Sequence, residues 1–187
     1  MTRKYWIGLA LALLLSACAN YTLVSPGDHS IKQMTVTAET SWNQPPGGMG
    51  TTIWTSNGLS LDSVTFYDGI ENGKPLYKTP KKQEYPVFRS DMLPNEVMET
   101  FESTMTKITN SNIHSTFGLR PVTFGGVPGF QFEYTFTGQD SVPRKGIVGG
   151  AIRDGKLYMI VYEGAATHYY GLHEAEAQRM IAGVRLK

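Results

Sequence analysis

Apolar and polar residues alternate strictly along the segment "FQFEYTFT" at 130–137, which predicts a β-strand with one buried face. The aromatic side chains occupy every second position and would all point toward that face. They are Phe130, Phe132, Tyr134 and Phe136. The residues from Leu157 to Tyr162 are instead apolar at every position. This second pattern predicts a strand at the centre of a sheet, covered on both sides.

Turn-forming dipeptides divide the extended segments into hairpins. Asp154-Gly155 lies within the apolar stretch 145–165, and Asn57-Gly58 lies within 51–70. Both dipeptides suit a type I′ turn, in which the two central residues have positive φ angles. A further Asn-Gly pair at 72–73 predicts another turn.

Two segments have the apolar spacing of amphipathic helices. The first helix is predicted from about Pro94 to Ile108, because proline suits a first helical position and one apolar stripe follows it. That stripe consists of Val97, Phe101, Met105 and Ile108. The second helix is predicted from about His168 to Ala182. Its expected inner face consists of Leu172, Ala175, Met180 and Ile181.

The order of these elements is strands, helix, strands, helix. Strands joined by tight turns form an antiparallel sheet, and the helices must then cover its faces. The fold class predicted is therefore α+β, with a central antiparallel sheet flanked by helices.

The N-terminus has the features of a secretory signal. A basic start at Arg3 and Lys4 is followed by an apolar run from residue 5 to residue 15, which is shorter than the ~20 residues that span a bilayer. The run ends on Leu15-Ser16-Ala17-Cys18, which resembles a bacterial lipobox. The resemblance implies cleavage between Ala17 and Cys18 and lipidation of Cys18, the only cysteine of the chain. The alternative is a buried, inert cysteine at the end of a core helix.

These features predict three regions: a lipoprotein signal peptide at 1–17, a lipidated tether at 18–33 and a single domain at 34–187. Removing residues 1–17 leaves 15 basic and 16 acidic residues, a formal charge of −1. Such a balance gives no reason to expect nucleic acid or an anionic surface as a partner. Because Ala19 rather than an aspartate follows the cysteine, the lipobox resemblance also implies an outer-membrane location facing the periplasm.

The C-terminal half resembles a known fold group. The stretch "FGLRPVTFGGVPGFQFEYTF", the hairpin "GAIRDGKLYMIVYEGA" and the closing "YYGLHEAEAQRMIAGVRL" are similar to the second half of Mog1/PsbP-like domains. The upstream "WTSNGLSLDSVTFYDGIENGKPLYK" resembles a segment of uncharacterised proteobacterial lipoproteins. The resemblance implies an α/β/α sandwich, and members of this fold group act mainly as binding or assembly factors.

The sequence contains no convincing motif for a reaction centre. The histidines His29, His114, His168 and His173 include no pair with the spacing of a zinc helix, and no Gly-x-Ser-x-Gly motif occurs. The glycine-rich 47–50 and 125–129 are interpreted as turns. Glu174 and Glu176 are two residues apart on a helix, which predicts surface charge. The best enzymatic candidates are His168 or His173 beside Tyr169 or Glu174.

Six aromatic residues could have a role other than core packing, namely to line a ligand-binding groove. A groove for a sugar or a peptide could be lined by Trp42, Trp54, Phe66, Tyr67, Tyr169 and Tyr170. Such residues more often pack in a core or on a sheet face.

Three functions are therefore weighed. The leading hypothesis is a non-enzymatic envelope lipoprotein, held in a bacterial membrane by its lipid anchor, without a cofactor or metal and with an envelope protein as partner. The alternatives are a small envelope hydrolase whose catalytic residues meet only in three dimensions, and a small-ligand binder that uses an aromatic groove.

Overall fold

The computed structural model describes residues 21–47, 51–77, 84–111 and 114–187. Its centre is a six-stranded antiparallel sheet in the order β5-β6-β10-β9-β8-β7. These strands are β5 (Thr52–Trp54), β6 (Asp62–Ile70), β7 (His114–Phe124), β8 (Val127–Thr137), β9 (Pro143–Arg153) and β10 (Lys156–Ala165). The antiparallel sheet with its helices confirms the predicted α+β class.

In the described part of the chain, smaller strands and two helices cover the two faces of this sheet. The helices are α1 (Pro94–Thr109) and α2 (Tyr169–Gly183). The small strands are β1 (Thr22–Val24), β2 (Gly27–Ile31), β3 (Met34–Ala38), β4 (Trp42–Gln44) and β11 (Arg185–Leu186). β1 pairs with β4, while β2, β3 and β11 form a three-stranded sheet. None of the described helices is long and apolar enough to cross a membrane.

The central strand and its hairpin are confirmed. β10 lies between β6 and β9, and all six residues from Leu157 to Tyr162 are buried. Asp154 and Gly155 connect β9 to β10 with φ angles of 51° and 70°, as a type I′ turn requires. The aromatic residues of β8 at even-numbered positions all pack on the α1 side of the sheet.

The hairpin around Asn57-Gly58 forms with a different turn. β5 and β6 do pair, but only Gly58 of the two residues has a positive φ, and the connection runs over residues 55–61. The buried Asp62 carboxylate organises this loop. Its Oδ1 accepts hydrogen bonds from the Thr55 hydroxyl at 2.9 Å and from the Ser56 amide at 2.8 Å. A side chain thus supplies the turn that the dipeptide was expected to supply.

The first helix is confirmed, and its ends have clear causes. Pro94 occupies the first turn, and the Glu96 carboxylate accepts a hydrogen bond of 2.7 Å from the Leu93 amide. Asn110 ends the helix in the left-handed conformation at a φ of 49°. Of the predicted stripe, Val97 and Phe101 are fully buried, while the last two residues are half-buried.

The second helix has a different rotation from the one predicted. Met180 and Ile181 are buried as expected, but Leu172 is 51% exposed and Ala175 is also exposed. Tyr170, Glu176 and Ala177 take the inner positions instead. The interpretation of Glu176 as surface charge is therefore wrong. Its carboxylate is buried and hydrogen-bonded to the chain between β3 and the start of β4.

The first described strand begins at Thr22, inside the segment 18–33 that the sequence predicts as a tether. β1 and β2 both lie within 18–33, where only Val24 and Ile31 contribute buried apolar side chains. Strands this short and this exposed leave no alternating pattern in the sequence. Ala17, Cys18 and the signal region lie outside the described residues.

The core has two parts, one on each face of the central sheet. The cluster on the α2 face contains Trp42, Trp54, Phe66 and Tyr162. The cluster on the α1 face contains Phe101, Phe132 and Met159. All buried apolar residues of the described chain lie between Val24 and Val184, so residues 21–187 contain the whole described core.

Candidate functional site

A cavity of about 300 Å³ lies on the α1 face of the central sheet. It exists because α1 packs mainly across β7 and β8, so that β5, β6 and the end of β10 extend beyond the helix. The wall is mostly apolar or aromatic. Its apolar and aromatic residues are Ile53, Tyr67, Tyr77, Met105, Ile108 and Val161, and Thr51, Ser63 and Thr65 add hydroxyl groups. Glu163 is the one charged side chain among the described lining residues.

Glu163 follows the apolar run of β10 and faces the same side of the sheet as Val161. The Tyr134 hydroxyl donates a hydrogen bond of 2.8 Å to its Oε2. No described residue donates a hydrogen bond to its Oε1. Burial raises the pKa of Glu163, and the Tyr134 hydrogen bond and the nearby Arg144 charge offset only part of that rise.

The same environment also raises the pKa values of two tyrosines. Burial raises the pKa of Tyr67, and the nearby Glu163 carboxylate raises it further. Burial also raises the pKa of Tyr134, with a further contribution from Glu163. Both phenols therefore stay neutral at physiological pH and act as hydrogen-bond donors or aromatic walls rather than as bases.

A shallower depression adjoins the cavity, and Ile108 and Glu163 line both. Arg144 lies here, but its guanidinium is held by the Asp140 carboxylate at 2.6 Å and by the Ser60 carbonyl oxygen at 3.1 Å. The Arg144 hydrogen bonds hold the pKa of Asp140 well below its usual range. The Arg144 guanidinium is thus hydrogen-bonded to Asp140, while its charge also acts on Glu163.

A second polar cluster lies on the opposite side of the sheet, around Glu176. Its Oε1 accepts hydrogen bonds from the Glu39 and Thr40 amides at 2.8 and 3.0 Å and from the Trp42 indole at 3.1 Å. Its Oε2 accepts one from the Thr40 hydroxyl at 2.7 Å. Burial alone would raise the pKa of Glu176, but these hydrogen bonds outweigh it and lower the pKa.

Of the predicted catalytic candidates, the structure brings His168 next to Tyr169 and places His173 against Glu176. His168 is exposed and its ring contacts Tyr169. The Nδ1 atom of His173 lies 3.6 Å from a carboxylate oxygen of Glu176. Its ring packs against Trp42. This position makes His173 part of the structural cluster around Glu176.

The other histidines add no catalytic pair in the described region. His29 hydrogen-bonds the backbone carbonyl of Ser25, and the side chain of His114 lies outside the described side chains. Within the described ranges, no group of three or more His, Cys, Asp or Glu residues is placed to hold a metal ion.

The predicted aromatic groove does not form as a unit. Trp42, Trp54, Phe66 and Tyr170 are buried in the core on the α2 face, and Tyr169 contacts His168. Tyr67 alone of the six lines the cavity. Glu163 was missed as a site residue, although an acid at the end of a fully apolar strand was the visible signal.

Comparison with known proteins gives matches at the level of structure. No family model and no curated protein matches the sequence. The solution structure of cyanobacterial PsbP (CyanoP) from Synechocystis is similar with a TM-score of 0.55 and 12% identity, covering 92% of this chain and 96% of that one. The Ran-binding protein Mog1p of Saccharomyces cerevisiae gives a TM-score of 0.53 and 10% identity, covering 90% and 96%.

A third match is more distant in geometry. This match is LpqN of Mycobacterium tuberculosis, which is described as involved in cell envelope biogenesis. The aligned region covers 92% of this chain and 87% of LpqN. Its 11% identity and TM-score of 0.36 are too low to show a shared fold. The two stronger matches agree with the sheet and helices described above, and the chain has a Mog1/PsbP-like fold.

Proposed function

We propose that this chain is a lipid-anchored, non-catalytic binding module of the bacterial cell envelope. The observation that carries the proposal is the distance along the chain between the lipobox cysteine and the fold. Only residues 19–21 separate Cys18 from the first described strand, which begins at Thr22.

This short connection would hold the domain against the membrane. Four residue steps span at most about 14 Å when fully extended. Tyr21 and Leu23 flank the start of β1 and are 47% and 63% exposed. Tyrosine and leucine side chains at this distance from an acylated cysteine suit the membrane–water interface. The anchor and the exposed residues thus support one orientation, with β1 toward the bilayer.

The non-catalytic part of the proposal rests on the arrangement of ionisable groups. Catalysis by a hydroxyl nucleophile needs a base within hydrogen-bond reach. His168 contacts a tyrosine ring, and His173 packs against Trp42 and Glu176, which is occupied by backbone and hydroxyl donors. The acid at the cavity, Glu163, is paired with a phenol.

An envelope protein as partner has separate support. Leu93 at the start of α1 and Phe117 and Leu119 on the edge strand β7 are exposed apolar side chains. The structurally similar Mog1p is described as a Ran-binding protein. This analogy between folds supports a protein-binding role for the present chain. Ala19 supports sorting to the outer membrane, with the domain facing the periplasm.

Metabolic labelling with palmitate tests the anchor. The Cys18→Ser variant should lose the label, while the control variant Ser16→Ala, which keeps the cysteine and a small residue at the cleavage site, should keep it. On a sucrose gradient, the labelled protein should fractionate with the outer membrane. Equal palmitate incorporation in the Cys18→Ser variant would contradict the proposal, and co-fractionation with the inner membrane would contradict the sorting.

A further inference from the structure

We propose that the cavity beside α1 binds a small apolar cation, an amine or ammonium compound whose charged end lies at Glu163. This inference deepens the proposed function, because it names the ligand class for a module described above only as a binding one. Three observations carry it: the shape of the cavity, its charge, and its aromatic residues.

The shape suits a small ligand with an apolar body. A volume of about 300 Å³ is at the lower end of the range for small-molecule sites. Ile53, Met105, Ile108 and Val161 form apolar walls on three different elements. Such walls bind by excluding water from the ligand, and they place no hydrogen-bonding demand on most of its surface.

The described lining of the cavity carries negative charge that is only partly compensated. No lysine, arginine or histidine is among the described lining residues, and Glu163 supplies the single carboxylate. Arg144, which lines the adjoining depression and acts on Glu163 through its charge, is itself paired with Asp140. A carboxylate in an apolar site is costly unless a cation pairs with it. A ligand that brings its own positive charge would supply that partner.

The hydrogen-bonding geometry leaves room for such a ligand. Tyr134 occupies only Oε2 of Glu163, and Oε1 has no donor among the described residues. Tyr67 and Tyr77 line the same cavity. Carboxylates together with tyrosine rings are the groups that recognise amines and ammonium compounds in proteins.

A neutral ligand could occupy the same cavity. The pH dependence of binding distinguishes a neutral ligand from a cation. In the described chain, the ionisable groups whose charge or hydrogen bond acts on Glu163 are Tyr134 on β8, Tyr67 on β6 and Arg144 on β9. Both phenols and the arginine keep their protonation state near neutral pH. Cation binding should therefore strengthen as pH rises through the raised pKa of Glu163. A neutral ligand that accepts a hydrogen bond from protonated Glu163 would bind less tightly over the same range.

The test uses the chain from residue 19 to residue 187, which contains the whole described core. Phenethylamine is the cationic probe, and 2-phenylethanol is a neutral probe of similar shape. Titrations followed by amide chemical shifts should show saturable changes around Val161, Glu163 and Met105. Glu163→Gln keeps an acceptor for Tyr134 and should weaken phenethylamine binding at least tenfold, with less than a twofold effect on 2-phenylethanol.

Two further variants complete the design. Glu133→Gln removes an exposed carboxylate from the same sheet and should leave both affinities within twofold. Met105→Trp should fill the cavity and abolish binding of both probes. Unchanged phenethylamine affinity in Glu163→Gln, or no saturable shifts at the cavity in the unsubstituted chain, would overturn the inference. Because this chain lacks Cys18, the result is independent of lipid anchoring.

Discussion

The carboxylate of Glu176 accepts a hydrogen bond from the Trp42 indole nitrogen at 3.1 Å, which joins the last helix to the start of β4. Both side chains are buried, and they are 134 residues apart in sequence. Three further donors from Glu39 and Thr40 complete the shell around this carboxylate. We infer that this cluster fixes both the rotation of α2 and the path of the chain between β3 and β4.

Glu176→Gln should therefore destabilise the fold. The amide group replaces one acceptor oxygen by a donor, so the buried Trp42 indole or the partly buried donors of Glu39 and Thr40 lose an acceptor, at a cost of about 3 kcal/mol. Urea unfolding measures the difference. Glu174→Gln is the matched control on the same helix, because Glu174 is partly exposed and receives only long hydrogen bonds of 3.4 Å. A loss no larger than that of the control would contradict the structural role.

The Glu176 carboxylate should also make the free energy of unfolding depend on pH below about pH 6. The pKa of Glu176 is lowered from its ordinary value of 4.5 in the folded chain. Its ionised form therefore stabilises the fold above about pH 4.5, and this contribution disappears as pH falls through the folded pKa. The difference in unfolding free energy between the unsubstituted chain and Glu176→Gln should shrink as pH is lowered from 6 to 3. A difference that stays constant over this range would contradict the account.

Ile160→Asp should unfold or severely destabilise the chain. Ile160 is fully buried at the centre of the sheet, where β10 pairs with β6 and β9. An unpaired carboxylate there costs several kcal/mol, which rivals the stability of an ordinary domain. Thermal unfolding followed by circular dichroism checks this. Ser115→Asp, at an exposed position of the edge strand β7, should change the melting temperature little. An unchanged melting temperature in Ile160→Asp would disprove the central position of the strand.

The double variant His168→Ala, His173→Ala tests the absence of catalysis from these positions. The His168 ring contacts Tyr169, and the His173 ring packs against Trp42 and lies 3.6 Å from Glu176. We expect a stable, correctly localised protein that still complements a deletion strain. Complete loss of complementation by such a protein would favour the hydrolase alternative.

Sequence patterns predicted the parts of this fold in which one repeating signal dominates. The alternation in β8, the apolar run of β10, the stripe of α1 and the Asp154-Gly155 turn were each sufficient by themselves. The failures lie where a single polar side chain decides the local structure. Asp62 replaces the expected tight turn with a loop, and Glu176 turns Leu172 outward.

The candidate site was not predictable for a related reason. The cavity depends on where α1 ends relative to a sheet whose strands are distant in sequence. Ile53, Met105 and Glu163 meet there although no spacing connects them. Of the predicted groove only Tyr67 takes part, because alternate residues of β6 face opposite sides and Phe66 points into the other core.

The central claim, a binding domain held close to a membrane by an acylated Cys18, is tested most directly by the intact mass of the protein purified from membranes. The account predicts a chain that begins at Cys18 and carries the mass of a diacylglyceryl group and an amide-linked acyl chain. Peptide mapping should assign all of this added mass to the N-terminal residue. A chain that keeps residues 1–17, or one whose Cys18 carries no lipid, would contradict it.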